Sequence, residues 1–285
     1  MRTIIYLLTL TFVASCGMQD TPSNTSDAPQ PTSSVRLNHG DFSPFKESLN
    51  NKINSHSFVP NPDGSEEIVE SFYIDGTACR GEDCNYGSVR SSVDSNIWDD
   101  VRPRSITSPE QAWYSFEIFF PKGTPTYPVE NPNTVILVEF KEENQCASFA
   151  FVKNNNGNSN AEFNFFLSEY SGKKDARFAG TPGECLSYFE TEIANISDMI
   201  GKWVRFEYFV KWSENEDGYL IVYQDGRKVL ERSGRTCSST KQCLTRNIHY
   251  YGLYQANNED MNKIDSLTAY YRNVSMSQKR EDLVR

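Results

Sequence analysis

A strict two-residue alternation between residues 203 and 212 constrains the fold more than any other feature of the sequence. Its apolar set is Val204, Phe206, Tyr208 and Val210. Successive side chains of a β-strand point to opposite faces, so this pattern predicts a half-buried strand. A second strand is predicted at residues 219–224, and Asp225-Gly226 supplies the positive φ angles that a tight two-residue hairpin turn needs. We therefore expect residues 201–254 to form an antiparallel meander.

The polar face of this first strand is open to water or to a ligand. It carries Trp203, Arg205, Glu207 and Lys211. Of these we assign Arg205 and Lys211 as candidate substrate-binding residues. The last strand of the expected meander, at residues 248–255, also alternates between two faces.

Further strands are predicted along most of the chain. They fall at residues 67–74, 86–93, 112–120, 134–141, 147–153, 161–167 and 266–277, and residues 190–200 are predicted to hold a short helix. The run at 134–141 is apolar for most of its length, which predicts a central strand buried on both faces. Many short strands with turn clusters between them favour two packed antiparallel sheets. We expect an all-β, concanavalin-like β-jelly-roll sandwich with a concave groove on one sheet.

Length and charge limit the classes of function. The chain has 285 residues with 18 Phe and 15 Tyr, which suits one large β domain. Its net charge is −10. Nucleic-acid binding through a broad basic face depends on clustered Lys and Arg, so we expect no nucleic-acid partner.

The first residues resemble a bacterial lipoprotein signal. Arg2 precedes an apolar run at residues 4–14 that is too short to span a membrane, and the run ends in Val13-Ala14-Ser15-Cys16. This ending resembles a lipobox, which implies a lipid on Cys16 and export to the outer membrane or cell surface. An ordinary signal peptide cleaved nearby is the alternative.

The predicted organisation therefore has three parts. Residues 1–16 are the lipoprotein signal peptide, residues 17–40 are a disordered linker rich in Ser, Thr, Pro, Asp and Asn, and residues 41–285 are the sandwich domain. We expect the protein to be a monomer tethered to a membrane by its lipid.

Six further cysteines form an even set, as expected for disulfides in an exported protein. Local spacing favours pairing of Cys79 with Cys84 and of Cys237 with Cys243, which leaves Cys146 with Cys185. A zinc site is the competing interpretation, but the cysteine pairs lack C-x-x-C spacing and no His completes a ligand set. We expect no cofactor; a structural calcium at the acidic residues 214–217 stays open.

Four segments carry a pattern that is more specific than the strands themselves. They are GKWVRFEYFVKWSENEDGYLIVYQDGRKVL, YYGLYQ, CRGEDCNYGSVRSSV and TVILVEFK. Together they resemble, in order and spacing, the heparin lyase I family and more distantly the alginate lyases that share its jelly-roll fold. The resemblance implies β-elimination on a uronate-containing polysaccharide, in which one group neutralises the carboxylate, a base takes the C5 proton and an acid protonates O4.

By position, this resemblance makes Tyr254 the catalytic acid, with a possible second role as base, and Arg90 the group that orients the carboxylate. The alternative for Arg90 is a structural ion pair with Asp94. His249 is adjacent to Tyr250, but alternation points it to the opposite face, so we expect it to be packed or exposed rather than catalytic.

Four positions depart from the family pattern. Tyr250 replaces a Lys, Lys141 replaces a His, Ser92 replaces a Glu, and Glu139 replaces a Gln. A carboxylate at position 139 would repel a uronate unless it is protonated or paired, and Lys141 would offset it or act as base if burial lowered its pKa. We keep Lys141 and Tyr250 as candidate catalytic residues and Glu139 as a candidate substrate-binding residue.

Other functions are weighed against this prediction. The G-x-S-x-G, Walker, H-E-x-x-H and G-x-G-x-x-G motifs do not occur in the sequence. A glycoside hydrolase using two carboxylates, for example Glu139 and Glu207, remains open. So does a carbohydrate-binding or adhesion lipoprotein that has kept the lyase sandwich and lost catalysis, because the departures fall on catalytic positions.

Overall fold

The computed structural model describes the core strands of the chain and some of their connections. The described residues are 40, 45–49, 55–77, 79, 82–85, 87–95, 98–99, 102–103, 109–127, 134–142, 147–155, 162, 164–171, 186–237, 247–255 and 266–285. They lie in one compact unit, Val35–Arg285. The predicted signal peptide and the cysteines 16, 146, 185 and 243 fall outside the described residues, so predictions about them stay predictions.

Two large antiparallel sheets make up the described part of the chain. The first sheet contains β1 (Lys46–Leu49), β4 (Val89–Asp94), β8 (Val135–Glu142), β9 (Ala147–Asn154), β10 (Asn164–Ser171), β11 (Leu186–Asn195) and β15 (Asn247–Gln255). Their spatial order is β1-β4-β15-β8-β9-β10-β11. The strand β15 therefore lies between β4 and β8, near the middle of the sheet.

The second sheet packs against the first. It contains β2 (His56–Pro60), β3 (Ile68–Ile74), β7 (Gln111–Phe119), β12 (Trp203–Lys211), β13 (Tyr219–Gln224), β14 (Arg227–Ser233) and β16 (Leu267–Ser277). The spatial order is β14-β13-β12-β7-β16-β3-β2. A small separate pair joins β5 (Trp98–Asp99) and β6 (Arg102–Pro103).

Helical structure in the described residues is limited to short turns. The helix α1 spans Glu82–Asn85, and 3₁₀ turns cover Ile196–Asp198 and Arg280–Asp282. No helix in the described part of the chain is long and apolar enough to cross a membrane.

Aromatic side chains from both sheets fill the space between them. On β12 the alternation places Val204, Phe206, Tyr208 and Val210 inward, and all four are buried. Phe206 stacks on Phe116 of its own sheet and on Phe165 of the first sheet, with ring centroids 5.1 Å and 4.7 Å away. Full burial of one such ring contributes about 1.5–3 kcal/mol, so these rings lock the two sheets together.

The predicted all-β sandwich of two antiparallel sheets is confirmed. The meander is confirmed from β12 through β14, with the two-residue turn at Asp225 and Gly226 in positive φ. It ends there, because β15 pairs with β4 and β8 in the other sheet. The central position predicted for residues 134–141 is also correct, since β8 lies between β15 and β9.

The predicted short helix at residues 190–200 is wrong. Most of this interval belongs to β11, which pairs along its length with β10 at the edge of the first sheet. Helical structure begins only at the 3₁₀ turn, where the Asn195 side chain caps the backbone N–H of Ser197. Here the backbone N–H and C=O groups form hydrogen bonds with a neighbouring strand, and local propensity does not predict such pairing.

One predicted disulfide falls within the described residues and is confirmed. Cys79 and Cys84 are bonded and close a short loop around α1. Cys237 is also disulfide-bonded, and its partner lies outside the described residues. The pairing of Cys237 with Cys243 therefore stays a prediction.

Candidate active site

The middle of the first sheet presents a polar face directed away from the core. On β15, the side chains of His249, Tyr251 and Leu253 are buried in the sandwich. Alternation then directs Tyr250 and Tyr254 to the opposite, outward face. This outward face is where three strands, β4, β8 and β15, bring the sequence-predicted residues together.

Strand register specifies which side chains meet there. Tyr254 lies directly opposite Arg90 of β4. Tyr250 lies between Asp94 of β4 and Glu139 of β8. Directly opposite residues on paired strands share a face. We call the resulting surface the Arg90 face; its members are Arg90, Ser92, Asp94, Glu139, Lys141, Tyr250 and Tyr254.

Arg90 and Tyr254 are in contact on this face. The guanidinium carbon of Arg90 lies 4.1 Å from the centroid of the Tyr254 ring, in cation–π geometry. The other side of the guanidinium meets Asp83 of α1, with Nε 3.2 Å from Oδ2 and Nη2 3.4 Å from Oδ1. The structural ion pair of Arg90 is therefore with Asp83, not with Asp94 as the alternative proposed.

Arg90 is charged despite its surroundings. Burial lowers the pKa of Arg90, but the charges of Tyr254, Asp83, Glu139 and Tyr250 more than offset this and raise it above its ordinary value. The Arg90 face thus holds a permanent cation within electrostatic range of the Glu139 carboxylate. A substrate carboxylate arriving here would meet both charges.

Gly252 shapes the strand between the two outward tyrosines. Its φ is +128°, and a Cβ added there would lie 2.4 Å from the carbonyl oxygen of Ser91 and 2.7 Å from Cα of Ser92. The register of β15 against β8 shifts between Tyr251 and Tyr254. Only glycine allows this close approach of β15 to β4, so the position of Tyr254 depends on it.

Buried tyrosines support this irregular stretch from inside the sandwich. The hydroxyl of Tyr271, on β16, contacts the carbonyl oxygens of Gly252 and Leu137 at 2.9 Å and 3.0 Å. Tyr251 donates to the buried Glu70 at 2.7 Å. Burial, followed by the charge of Glu70, raises the pKa of Tyr251 well above its ordinary value, so it stays a hydrogen-bond donor.

His249 packs in the core, as predicted from its alternation. It is 1% exposed, and its Nε2 lies 3.2 Å from the Tyr208 hydroxyl. This position removes it from the Arg90 face.

Arg205 and Lys211 are not brought to the Arg90 face. Both lie on the outward side of β12 in the second sheet, so the whole core separates them from Tyr254. Arg205 binds Glu117 and Glu207 at 2.9 Å and 2.8 Å, and Lys211 binds Asp217 at 2.8 Å. Strand alternation identified the polar side of β12 but could not identify which sheet contained it, and the predicted substrate-binding role of Arg205 and Lys211 stays a prediction.

The carboxylate pair proposed for a hydrolase is also divided between the sheets. Glu139 lies on the Arg90 face and Glu207 on the outward side of β12, where it binds Arg205 and Arg280. Two carboxylates on opposite outer surfaces cannot flank one glycosidic bond. In the described residues, no group of three or more His, Cys, Asp or Glu side chains is arranged to hold a metal ion.

Sequence reasoning missed Asp83 and left Asp94 without a site role. Asp83 lies inside the CRGEDC segment, and its spacing from Arg90 gives no periodic signal because a turn separates them. Asp94 shares the alternation of Arg90 along β4, which could have indicated its place on the same face.

A family model described as polysaccharide lyase matches residues 37–275. The chain belongs to the polysaccharide lyase family. No curated protein matches the sequence of this family member. The narrower resemblance to the heparin lyase I family stays a prediction.

A solved structure shows the same fold. The crystal structure of endo-β-1,4-glucuronan lyase from the fungus Trichoderma reesei aligns with a TM-score of 0.58 at 16% identity, covering 87% of this chain and 97% of that chain. An alginate lyase from Klebsiella pneumoniae aligns with a TM-score of 0.49 at 12% identity, covering 80% and 86% of the respective chains. The alignment with the glucuronan lyase, together with the two antiparallel sheets, shows that the family member described here is a jelly-roll sandwich.

Proposed function

We propose that this polysaccharide lyase family member binds a uronate-containing polysaccharide along the Arg90 face and cleaves it by β-elimination. The observation that carries the proposal is the contact between Arg90 and Tyr254, with the guanidinium 4.1 Å from the ring centroid on an outward face. It places a fixed cation beside a phenol, which is what removal of a proton next to a carboxylate requires.

Arg90 has the role of binding the substrate carboxylate. Neutralising that carboxylate stabilises the negative charge that develops when the C5 proton leaves. Tyr254 then acts on the same sugar, taking the C5 proton as base and giving a proton to O4 as the C4–O4 bond breaks. The products are a fragment from the non-reducing side that now ends in a free anomeric hydroxyl, and a fragment from the reducing side whose first sugar has a C4–C5 double bond.

A single tyrosine in both roles restricts the stereochemistry of the substrate. The C5 proton and O4 must lie on the same side of the sugar ring for one side chain to reach both. D-Glucuronate and D-mannuronate satisfy this requirement, whereas D-galacturonate and L-guluronate do not. We therefore propose a β-1,4-linked D-glucuronate or D-mannuronate polymer as substrate.

The other predicted residues are assigned to neighbouring sugars. Lys141 is opposite Ile248, six residues from Tyr254 on β15, which is about 20 Å along a strand. A base must lie within hydrogen-bond reach of its proton, so Lys141 cannot share the C5 proton with Tyr254. We assign Lys141 to binding the carboxylate of another sugar. We assign Tyr250 and Glu139 to the hydroxyl groups of the sugar that lies between the one at Tyr254 and the one at Lys141.

The test is incubation of the protein with separate polymers of glucuronate, mannuronate, guluronate and galacturonate, and with heparin, while the ultraviolet absorbance of the unsaturated product is followed. We expect absorbance with glucuronate or mannuronate polymers. Tyr254→Phe should lower kcat by about 10²–10⁴-fold, since it removes the transferred proton. Tyr270→Phe, which alters a tyrosine on the outward side of the second sheet, is the matched control and should retain activity.

The proposal is abandoned if none of the polymers yields unsaturated product, or if Tyr254→Phe keeps wild-type kcat. Reducing ends without absorbance would instead identify a hydrolase.

A second candidate is a carbohydrate-binding protein without turnover. The observation that favours it is the buried carboxylate of Glu139 on the Arg90 face, where the resembling families have an amide. A repelling carboxylate weakens binding of a uronate transition state more than binding of a neutral glycan. Binding on a glycan array, with no product from any polymer, would favour this candidate.

We further propose that the protein is exported and anchored by a lipid on Cys16, on the strength of the Val13-Ala14-Ser15-Cys16 sequence. Metabolic labelling with a fatty-acid probe tests this anchor. Label should be incorporated by the wild type and lost in Cys16→Ser; label that survives the substitution would exclude this site.

A further inference from the structure

Arg90 is held by two elements, one a strand in the middle of a sheet and the other a short helix in a connection. The Tyr254 ring belongs to β15, in the middle of the first sheet. The Asp83 carboxylate belongs to α1, in the connection that precedes β4. The Arg90 side chain is 18% exposed and that of Asp83 is 26% exposed, so the pair is partly shielded from water. An ion pair so placed restricts the guanidinium more than a fully exposed one would.

The loop that carries Asp83 is closed at its base by a disulfide. Cys84 is adjacent to Asp83 and is bonded to Cys79, and Cys79 packs against the hydrophobic core. Gly87 then reverses the chain with φ +63°, and Ser88 donates its backbone N–H to the Asp83 carbonyl at 2.8 Å. The disulfide thus ties the Asp83 segment to a residue that packs against the core.

Asp83 contacts one edge of the guanidinium and leaves another available. Its two oxygens face Nε and Nη2 of Arg90. Within the described residues no acceptor contacts Nη1. A guanidinium has five N–H donors in a rigid plane, so holding one edge aims the remaining donors. The Tyr254 ring lies over the guanidinium carbon at 4.1 Å, so a carboxylate that binds the remaining donors would be next to the phenol ring.

We propose that Asp83 is the positioning residue of the site, and that the Cys79–Cys84 disulfide maintains its position, so that carboxylate binding by Arg90 depends on this disulfide. The inference rests on the proposed function for its kinetic consequence. Its structural part concerns only the placement of Arg90 and can be tested without turnover.

The experiment compares Asp83→Asn, Asp83→Glu and the double variant Cys79→Ser/Cys84→Ser with the wild type. The double variant is used rather than a reductant because Cys237 is also disulfide-bonded. The matched control is Asp198→Asn, which makes the same charge change on the exposed 3₁₀ turn after β11. A short disulfide loop contributes less chain entropy than a long one, so we expect the double variant to fold.

Two readouts are measured on each variant. The first is the hydrogen exchange of the Arg90 Nε–H by NMR, assigned with Arg90→Lys; this atom is buried and makes no hydrogen bond in the wild type, so its exchange rate reports whether the guanidinium keeps its buried position. The second is KM and kcat on the glucuronate or mannuronate polymer. We expect Asp83→Asn and the double variant to speed the exchange about tenfold or more and to raise KM about tenfold with a smaller change in kcat. Asp83→Glu should recover most of both, and Asp198→Asn should match the wild type.

The positioning role is overturned if the Arg90 Nε–H of the Asp83→Asn variant exchanges at the wild-type rate. The role of the disulfide is overturned if the double variant matches the wild type in both readouts. If the wild type cleaves no polymer while Asp83→Asn still speeds the exchange, the lyase function fails and the positioning role is supported.

Discussion

The closest backbone approach at the candidate site gives the sharpest stability prediction, Gly252→Ala. Alanine at φ +128° is strained by about 1–3 kcal/mol. Its Cβ would also lie 2.4 Å from the Ser91 carbonyl oxygen and 2.7 Å from Cα of Ser92, both backbone atoms that cannot rotate away. Forcing β15 and β4 apart adds about 1–3 kcal/mol, by analogy with overpacked cores. We therefore expect a loss of roughly 2–6 kcal/mol of unfolding free energy.

The matched control for this substitution is Gly226→Ala in the hairpin turn between β13 and β14. Its φ is +80°, but nothing lies within 4 Å of the added Cβ, so only the backbone strain applies. Thermal unfolding measures both variants, and for a domain of this size 1 kcal/mol corresponds to about 2–4 °C in Tm. The difference between the two variants isolates the steric contact of β15 with β4. If Gly252→Ala is no less stable than Gly226→Ala, the contact and the account of how Tyr254 is placed are both wrong.

Three further predictions concern groups behind and opposite the site. Tyr271→Phe removes the hydroxyl shared by two buried carbonyls and should cost about 1–3 kcal/mol in urea unfolding, whereas Tyr270→Phe should cost little; equal losses would contradict the bridge. Tyr251→Phe removes the donor to one oxygen of the buried Glu70 carboxylate, whose other oxygen faces His56, and should cost about 1–3 kcal/mol by the same assay, so an unchanged midpoint would argue against that hydrogen bond. Burial raises the pKa of Glu117, but hydrogen bonds from Asn273 and two arginines lower it below its ordinary 4.5. The stability that the ionised Glu117 contributes is present above pH 4.5 and lost as the pH falls through its folded pKa. The difference in unfolding free energy between wild type and Glu117→Gln should therefore shrink below about pH 4.5. A difference that is constant with pH would refute this.

The candidate site could be predicted only where its residues lie on strands with a clear pattern. Arg90 and Tyr254 were identified from motifs that resemble a family, and the structure places them opposite each other on β4 and β15. Asp83 was not identified, because it reaches Arg90 through a turn and a disulfide loop rather than along a strand. Arg205 was assigned to the site because it lies on a polar strand face, but that face belongs to the second sheet.

The interval at residues 190–200 shows the opposite error. A short helix was predicted there, whereas pairing with β10 made most of the interval a strand. Edge pairing is a property of the neighbouring strand as much as of the segment itself.

By itself the sequence determined which segments extend and which of their faces is apolar, because the two-residue alternation of a strand is a local property of the backbone. It also determined the turn at Asp225 and Gly226, since positive φ is restricted to few residue types. Only the tertiary structure decided which strands pair, that β15 enters the other sheet after β14, and that Tyr254 therefore meets Arg90. Backbone hydrogen bonds are the same for every pair of strands, so the choice of partner depends on how the aromatic rings of both sheets pack together and on one glycine that lets β15 approach β4.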